Sequence, residues 1–152
     1  MNDDLAEIWD NAIYKEIASQ ALYIEAGRDT EDPAAVKMLE ELASEESKHA
    51  GILRKMKESG WEPRDLNTAV LTDLKLSDYL QGPDTLVGAG LQDVLIFAMK
   101  REEQSVVFYS RLMSVFRLEA AKLLCARLAQ EELKHKMRLE MEYQELLPER
   151  EY

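Results

Sequence analysis

At 152 residues the chain has the length of one ordinary domain and can bury a single sizeable core. Its formal charge of −11 leaves no basic patch for nucleic acid or an anionic membrane surface. No uninterrupted apolar run is long enough to span a bilayer.

Only 6 Gly and 4 Pro accompany an abundance of Ala, Leu, Glu, Lys, Met and Arg, so long helices are expected. Met1-Asn2-Asp3-Asp4 carries no basic stretch and no apolar segment follows it, so no secretory signal and a cytoplasmic location are expected. Cys125 is the single cysteine, which excludes an internal disulfide, a zinc ribbon and an FeS4 centre.

Four helical stretches follow in chain order. The first is predicted from about Leu5 to Gly27, with Leu5, Ile8, Trp9, Ala12, Ile13, Glu16, Gln20 and Tyr23 on one stripe at helical spacing. Asp32 is placed to cap a second helix that starts at Pro33 and stops at about Ser59, before Gly60. The third is predicted from near Gly90 to about Ser114. After a short connection at 115–118 the fourth runs to Leu147, ahead of Pro148. The stretch between Gly60 and Gly90 is richer in breakers, with a short helix expected somewhere between Asp65 and Leu80. Two short connections flanking one long one describe an all-α four-helix bundle: hairpin 1 at about 5–59, a crossover at about 60–89 and hairpin 2 at about 90–147, in a single domain.

Sliding the sequence against itself by 86 residues brings the hairpins into register. Ala12, Glu16, Ser19 and Tyr23 meet Ala98, Glu102, Ser105 and Tyr109, and Lys15 meets Arg101. The segment Leu42-Ala43-Ser44-Glu45-Glu46-Ser47-Lys48-His49 meets Leu128-Ala129-Gln130-Glu131-Glu132-Leu133-Lys134-His135. One constant offset across two helices and a loop implies a duplicated hairpin packed about a pseudo-two-fold axis.

Each half offers a Glu from its first helix and a Glu-x-x-His from its second: Glu16 with Glu46 and His49, then Glu102 with Glu132 and His135. Residues three apart on a helix differ by about 60° in azimuth and about 4.5 Å in height, so both side chains of each Glu-x-x-His reach one region. Carboxylates can bridge two ions about 3.5–4 Å apart while one imidazole terminates each. Four buried carboxylates without cations would repel one another, and two divalent cations neutralise them. Leu39, Leu42, Leu53 and Met56 around one motif, and Cys125, Leu128 and Leu139 around the other, place these acids on apolar stripes. Both histidines of the chain occupy the predicted ligand position.

The neighbouring Glu45 and Glu131 read as outward-facing or helix-pairing charges. Tyr23 and Tyr109, two turns beyond the first-helix glutamates, are placed to donate hydrogen bonds to ligand carboxylates across the bundle. Cys125 and the methionines Met38, Met56, Met99, Met113, Met137 and Met141 read as core filler, with no haem.

This set resembles the ferritin-like superfamily, and most closely its rubrerythrin-like branch, across both hairpins. The resemblance implies a non-haem di-iron oxidoreductase with two iron ions per site, or manganese, which accepts the same ligands. It implies Fe(II) binding and reaction with peroxide or O₂ in oxidative-stress defence, as a peroxidase or ferroxidase. A homodimer is expected, and with no cysteine-ligated rubredoxin module the electron donor is expected to be a separate protein. Rubrerythrins carry a further Glu one turn after the third-helix ligand, where this chain has Ser105; the site is thereby more symmetrical, as in bacterioferritin, whose haem-ligating Met is Ser47 here. The alternative is a ferritin-type iron-binding, ferroxidase or storage protein, although no extra C-terminal helix of the kind found in ferritin cages follows Pro148.

Overall fold

The computed structural model describes residues 2–73 and 90–146, with the side chains of residues 2–4 and Pro63 left aside. Its helices are α1 (Asn2–Asp29), α2 (Pro33–Glu58), the short α3 (Thr68–Asp73), α4 (Leu91–Met113) and α5 (Glu119–Leu146), with a 3₁₀ turn at Pro63–Asp65. No strand occurs among the described residues, where the sole sheet-like pairing is an isolated bridge between Leu66 and Phe116. The protein is an all-α ferritin-like bundle of two hairpins, α1 with α2 and α4 with α5.

Local chemistry sets the helix boundaries. Asp32 caps α2, its Oδ1 accepting from the Ala34 amide at 3.1 Å, and Pro33 fills a position whose missing N–H costs nothing. Gly60 ends the same helix with φ +77°, a left-handed conformation that glycine adopts without steric penalty. The first helix extends a few residues past both predicted ends. The short helix expected in the crossover is seen at Thr68–Asp73; residues 74–89, and the Leu147–Pro148 end predicted for the last helix, lie outside the described residues.

The hairpins pack antiparallel. Tyr23, late in α1, meets Glu102 in mid-α4, whereas Tyr109, late in α4, meets Glu16. Ser59, at the end of α2, lies beside Leu5 and Trp9, while Leu91, at the start of α4, lies beside Leu22 and Ala26. Residues 60–90 therefore join opposite ends of a bundle about 35 Å long. At the Trp9 end the crossover is anchored to the α4–α5 connection: the Asn67 amide donates to Val115 at 2.7 Å and the Arg117 amide to Asp65 at 2.9 Å. Trp9 stacks on Phe116 at 5.7 Å, and Trp61 packs on Phe116 at 4.7 Å, closing that end with aromatic surface.

Two apolar clusters fill the bundle, one around Trp9, Leu53, Leu112 and Leu128, the other around Tyr23, Leu39, Leu95 and Leu139. On α1, Lys15 and Ser19 join the buried stripe, and Gln20 is only half-buried. Two of the methionines read as core filler are not: Met137 and Met141 are exposed on the outer face of α5. At 100° per residue, Met137 stands about 200° round the helix from His135, so the face that turns the histidine inward turns this methionine out.

Candidate metal centre

Between the two apolar clusters lies a layer of buried ionisable side chains. Glu16, Glu46, His49, Glu102, Glu132 and His135 are all buried, Glu46 and Glu132 at 1% and 0% exposure. The helix period explains this placement. Glu46 and His49 lie on the stripe of Leu39, Leu42 and Leu53, so packing that stripe inward carries both polar side chains with it. Glu132 and His135 follow Cys125, Leu128 and Leu139 on α5 in the same way.

The contacts obey the 86-residue repeat. Nδ1 of His49 lies 2.5 Å from Oε1 of Glu132, and Nδ1 of His135 lies 2.8 Å from Oε1 of Glu46. Each imidazole also lies 3.7 Å from the first-helix Glu of its own half, His49 from Glu16 and His135 from Glu102. Tyr23 donates to Glu102 at 2.5 Å and Tyr109 donates to Glu16 at 2.5 Å. A shift of 86 residues converts each contact into its mate, within a half for His49–Glu16 and across the halves for the others. The two imidazoles stack across the axis, 5.7 Å between ring centres.

Two four-residue groups result, each with ligand atoms within 4.8 Å of one another: Glu16, Glu46, His49 and Glu132, then Glu46, Glu102, Glu132 and His135. Glu46 and Glu132 belong to both, and the other four belong to one each. Oε2 of Glu16, Glu102 and Glu132 are buried without a hydrogen-bond partner. A buried carboxylate oxygen left unpaired is costly, and three of them distributed over these two groups suit cations. Oxygen donors with one imidazole per group match the preferences of iron and manganese.

The electrostatics are those of crowded acids. Burial first, and then the Glu102 and Glu16 charges, push the Glu46 and Glu132 carboxyls well above the ordinary range. Glu102 goes the other way: burial raises it, but hydrogen bonds from its neighbours and the charge of His135 outweigh burial and lower it. For His49, burial favours the neutral ring, yet Glu16 prevails and raises the imidazole. Tyr23 is held well above its usual value by burial and by the Glu102 charge, so it stays a donor.

Every predicted site residue lies in this layer, and the structure adds others. Lys15 and Arg101, equivalent in the repeat and each adjacent to a first-helix Glu, are buried; Arg101 donates from Nη2 to the Lys15 carbonyl at 3.3 Å. Their matched positions on the buried stripe were the signal in sequence. Glu131 turns partly inward, with Oε2 at 3.3 Å from Nε2 of His49 and at 3.6 Å from Nε of Arg127. Glu45 behaves as read, paired along its helix with Lys48 at 3.9 Å.

The rubrerythrin family model matches residues 2–85, more than half of the chain. The chain belongs to the rubrerythrin family. Comparison with curated proteins and with solved structures found no match. The match covers α1 and α2, hence Glu16, Tyr23, Glu46 and His49, while Glu102, Glu132 and His135 lie beyond it. The internal repeat extends the same pattern to the second half of this rubrerythrin-family bundle. No described helix is long and apolar enough to cross a membrane.

Proposed function

We propose that this rubrerythrin-family protein is a single-domain di-iron oxidoreductase that binds Fe(II) and reduces peroxide or O₂. The observation that carries the reading is the buried box of four glutamates and two histidines with its unpaired inward oxygens. In this reading Glu16 and His49 would hold one ion, Glu102 and His135 the other, and Glu46 and Glu132 would be shared between them. Two bound iron ions supply the redox chemistry, each exchanging one electron between its ferrous and ferric states.

The chain's own side chains do the rest. Tyr23 and Tyr109 fix Glu102 and Glu16 by donating to Oε1, which leaves Oε2 of each turned into the box. The raised Glu46 and Glu132 carboxyls carry protons that leave as cations enter. Leu39, Leu53, Leu128 and Leu139 exclude bulk water above and below the box. With Cys125 its single cysteine, this 152-residue sequence holds no FeS4 centre to pass electrons to the box. Exposed apolar side chains at Tyr14, Ile17 and Ile24 on α1 support a homodimer.

Ferroxidase action in iron storage is the second reading, favoured by the near-symmetry of the two halves and by Ser105 at the position of the additional rubrerythrin glutamate. Storage requires a hollow shell, so a dimer by light scattering removes it. The central test is anaerobic Fe(II) titration followed by separate mixing with peroxide and O₂, monitored by near-UV ferric absorbance. Two irons per chain and prompt oxidation are expected. Saturation well below two irons, with no oxidation, overturns the reading.

A further inference from the structure

We infer that Glu45, Glu131 and the Nε2 edge of His49 form an outer divalent-cation site through which metal is loaded into the buried box. This inference rests on the metal-binding reading above and assigns a role to residues outside its six ligands.

One ligand atom from each of the three side chains lies within 4.8 Å of the others. The acids alone would be an ordinary surface pair. His49 makes the difference, since it is 1% exposed and its Nε2 has no hydrogen-bond partner. That nitrogen is aimed at Oε2 of Glu131, which is itself buried and unpaired, at 3.3 Å. The opposite edge of the same ring, Nδ1, faces Glu132 in the box at 2.5 Å. His49 thus stands in the wall between the two cation positions with one nitrogen on each side.

A metal takes the imidazole in its neutral form, which has one lone pair, so the two edges act in turn. With the proton on Nδ1, donated to Glu132, the Nε2 lone pair is free to join Glu45 and Glu131 around an incoming cation. Once Nδ1 serves the box, the proton sits on Nε2 and is donated to Glu131, and the outer position loses its nitrogen. The outer position therefore holds metal before the box is filled, and the finished protein holds two ions, not three.

Access is present. A groove of about 250 Å³ is lined by Glu45, Glu131, Lys134, His135 and Arg138, so both acids of the outer site open to the surface there, beside the other histidine of the box. Arg138 is held on Glu41 at 2.9 Å, and Arg127 stays 3.6 Å from Glu131, beyond hydrogen-bond range. The half-exposed pair of acids at the mouth attracts cations in a salt-dependent way.

The test is stopped-flow loading of Co²⁺ into the full chain, followed by its visible absorbance, for the native sequence, Glu45→Gln, Glu131→Gln and the double variant. All three variants should load more slowly, the double variant by about tenfold at low ionic strength, and Glu45→Gln should still reach two ions per chain with the native equilibrium affinity. Unchanged loading rates overturn the outer site. So does a loss of equilibrium affinity in Glu131→Gln with no effect of Glu45→Gln, because Glu131 then only orients His49. Failure of the native chain to bind two ions is a different result, and it sinks the di-metal reading itself.

Discussion

Exchanging Glu46 and Glu132 together for glutamine should make the metal-free protein more stable and the metal-loaded protein less so. Both side chains are fully enclosed, and glutamine keeps their shape and an oxygen facing each imidazole, at the present 2.8 Å to His135 and 2.5 Å to His49. What it removes is two ionisable groups whose burial, reinforced by the charges of Glu102 and Glu16, disfavours ionisation. The unfolded chain ionises these groups freely and the fold does not allow it, so removing them lifts a folding penalty of about 1–4 kcal/mol, the gain expected in EDTA. With metal the sign reverses. A cation at a hundred times its Kd adds about 2.7 kcal/mol per site, so two sites add about 5 kcal/mol to the native chain and nothing to the variant. For a chain of this size that is a metal-dependent rise of about 10–20 °C in Tm. Thermal and urea unfolding at pH 7, followed by far-UV circular dichroism with EDTA and with Mn²⁺, measures both differences. A variant that is weaker than the native protein in EDTA, or that keeps the full Mn²⁺ shift, refutes the reasoning.

Tyr23→Phe and Tyr109→Phe each delete one buried hydrogen bond to a carboxylate. Each should cost about 1.5–3 kcal/mol and weaken metal binding by about 10–100-fold; the repeat requires similar losses, and titration calorimetry of Mn²⁺ would expose an inequality. In EDTA, stability should fall from pH 6 to pH 8. The raised native carboxyls of Glu46 and Glu132, and the raised His49 imidazole, keep protons that the unfolded chain has released, so unfolding becomes easier as pH climbs towards their native values. The lowered Glu102 acts oppositely but only in acid, where its contribution is lost as pH falls through its native value. Urea midpoints that rise over that interval would contradict the assignment. Cys125 is fully enclosed, and burial pushes its thiol up to about 12, so its thiolate is about one part in ten thousand at pH 8. Ellman's reagent should label it rapidly only after unfolding; rapid labelling of the native protein would place it elsewhere.

The fold and the box were legible for the same reason. A 3.6-residue stripe tells which face turns inward, and an 86-residue repeat tells which two faces meet, so Glu16, Glu46, His49, Glu102, Glu132 and His135 could be brought to one layer before any coordinate was known. The hydrogen bonds from Tyr23 and Tyr109 followed, because a side chain two turns beyond a ligand on an antiparallel partner stands level with the opposite ligand. Periodicity loses its grip at the edge of the stripe. Glu45 and Glu131 occupy equivalent places in the repeat, yet Glu45 leans along its helix to Lys48 while Glu131 reaches across to His49. The difference lies in neighbours the period cannot encode, since small rotations of a long side chain at a helix boundary decide between solvent and core. Met137 and Met141 show the same effect in reverse: their apolar character suggested burial, and their azimuth overruled it. The duplication therefore specifies the centre of the site symmetrically and leaves its mouth free to differ between halves. That freedom lets Glu131 approach His49 at 3.3 Å while its repeat partner Glu45, at the same outer cluster, also pairs with Lys48 at 3.9 Å. A symmetric box can in this way carry an asymmetric outer cluster without disturbing the six residues it is built from.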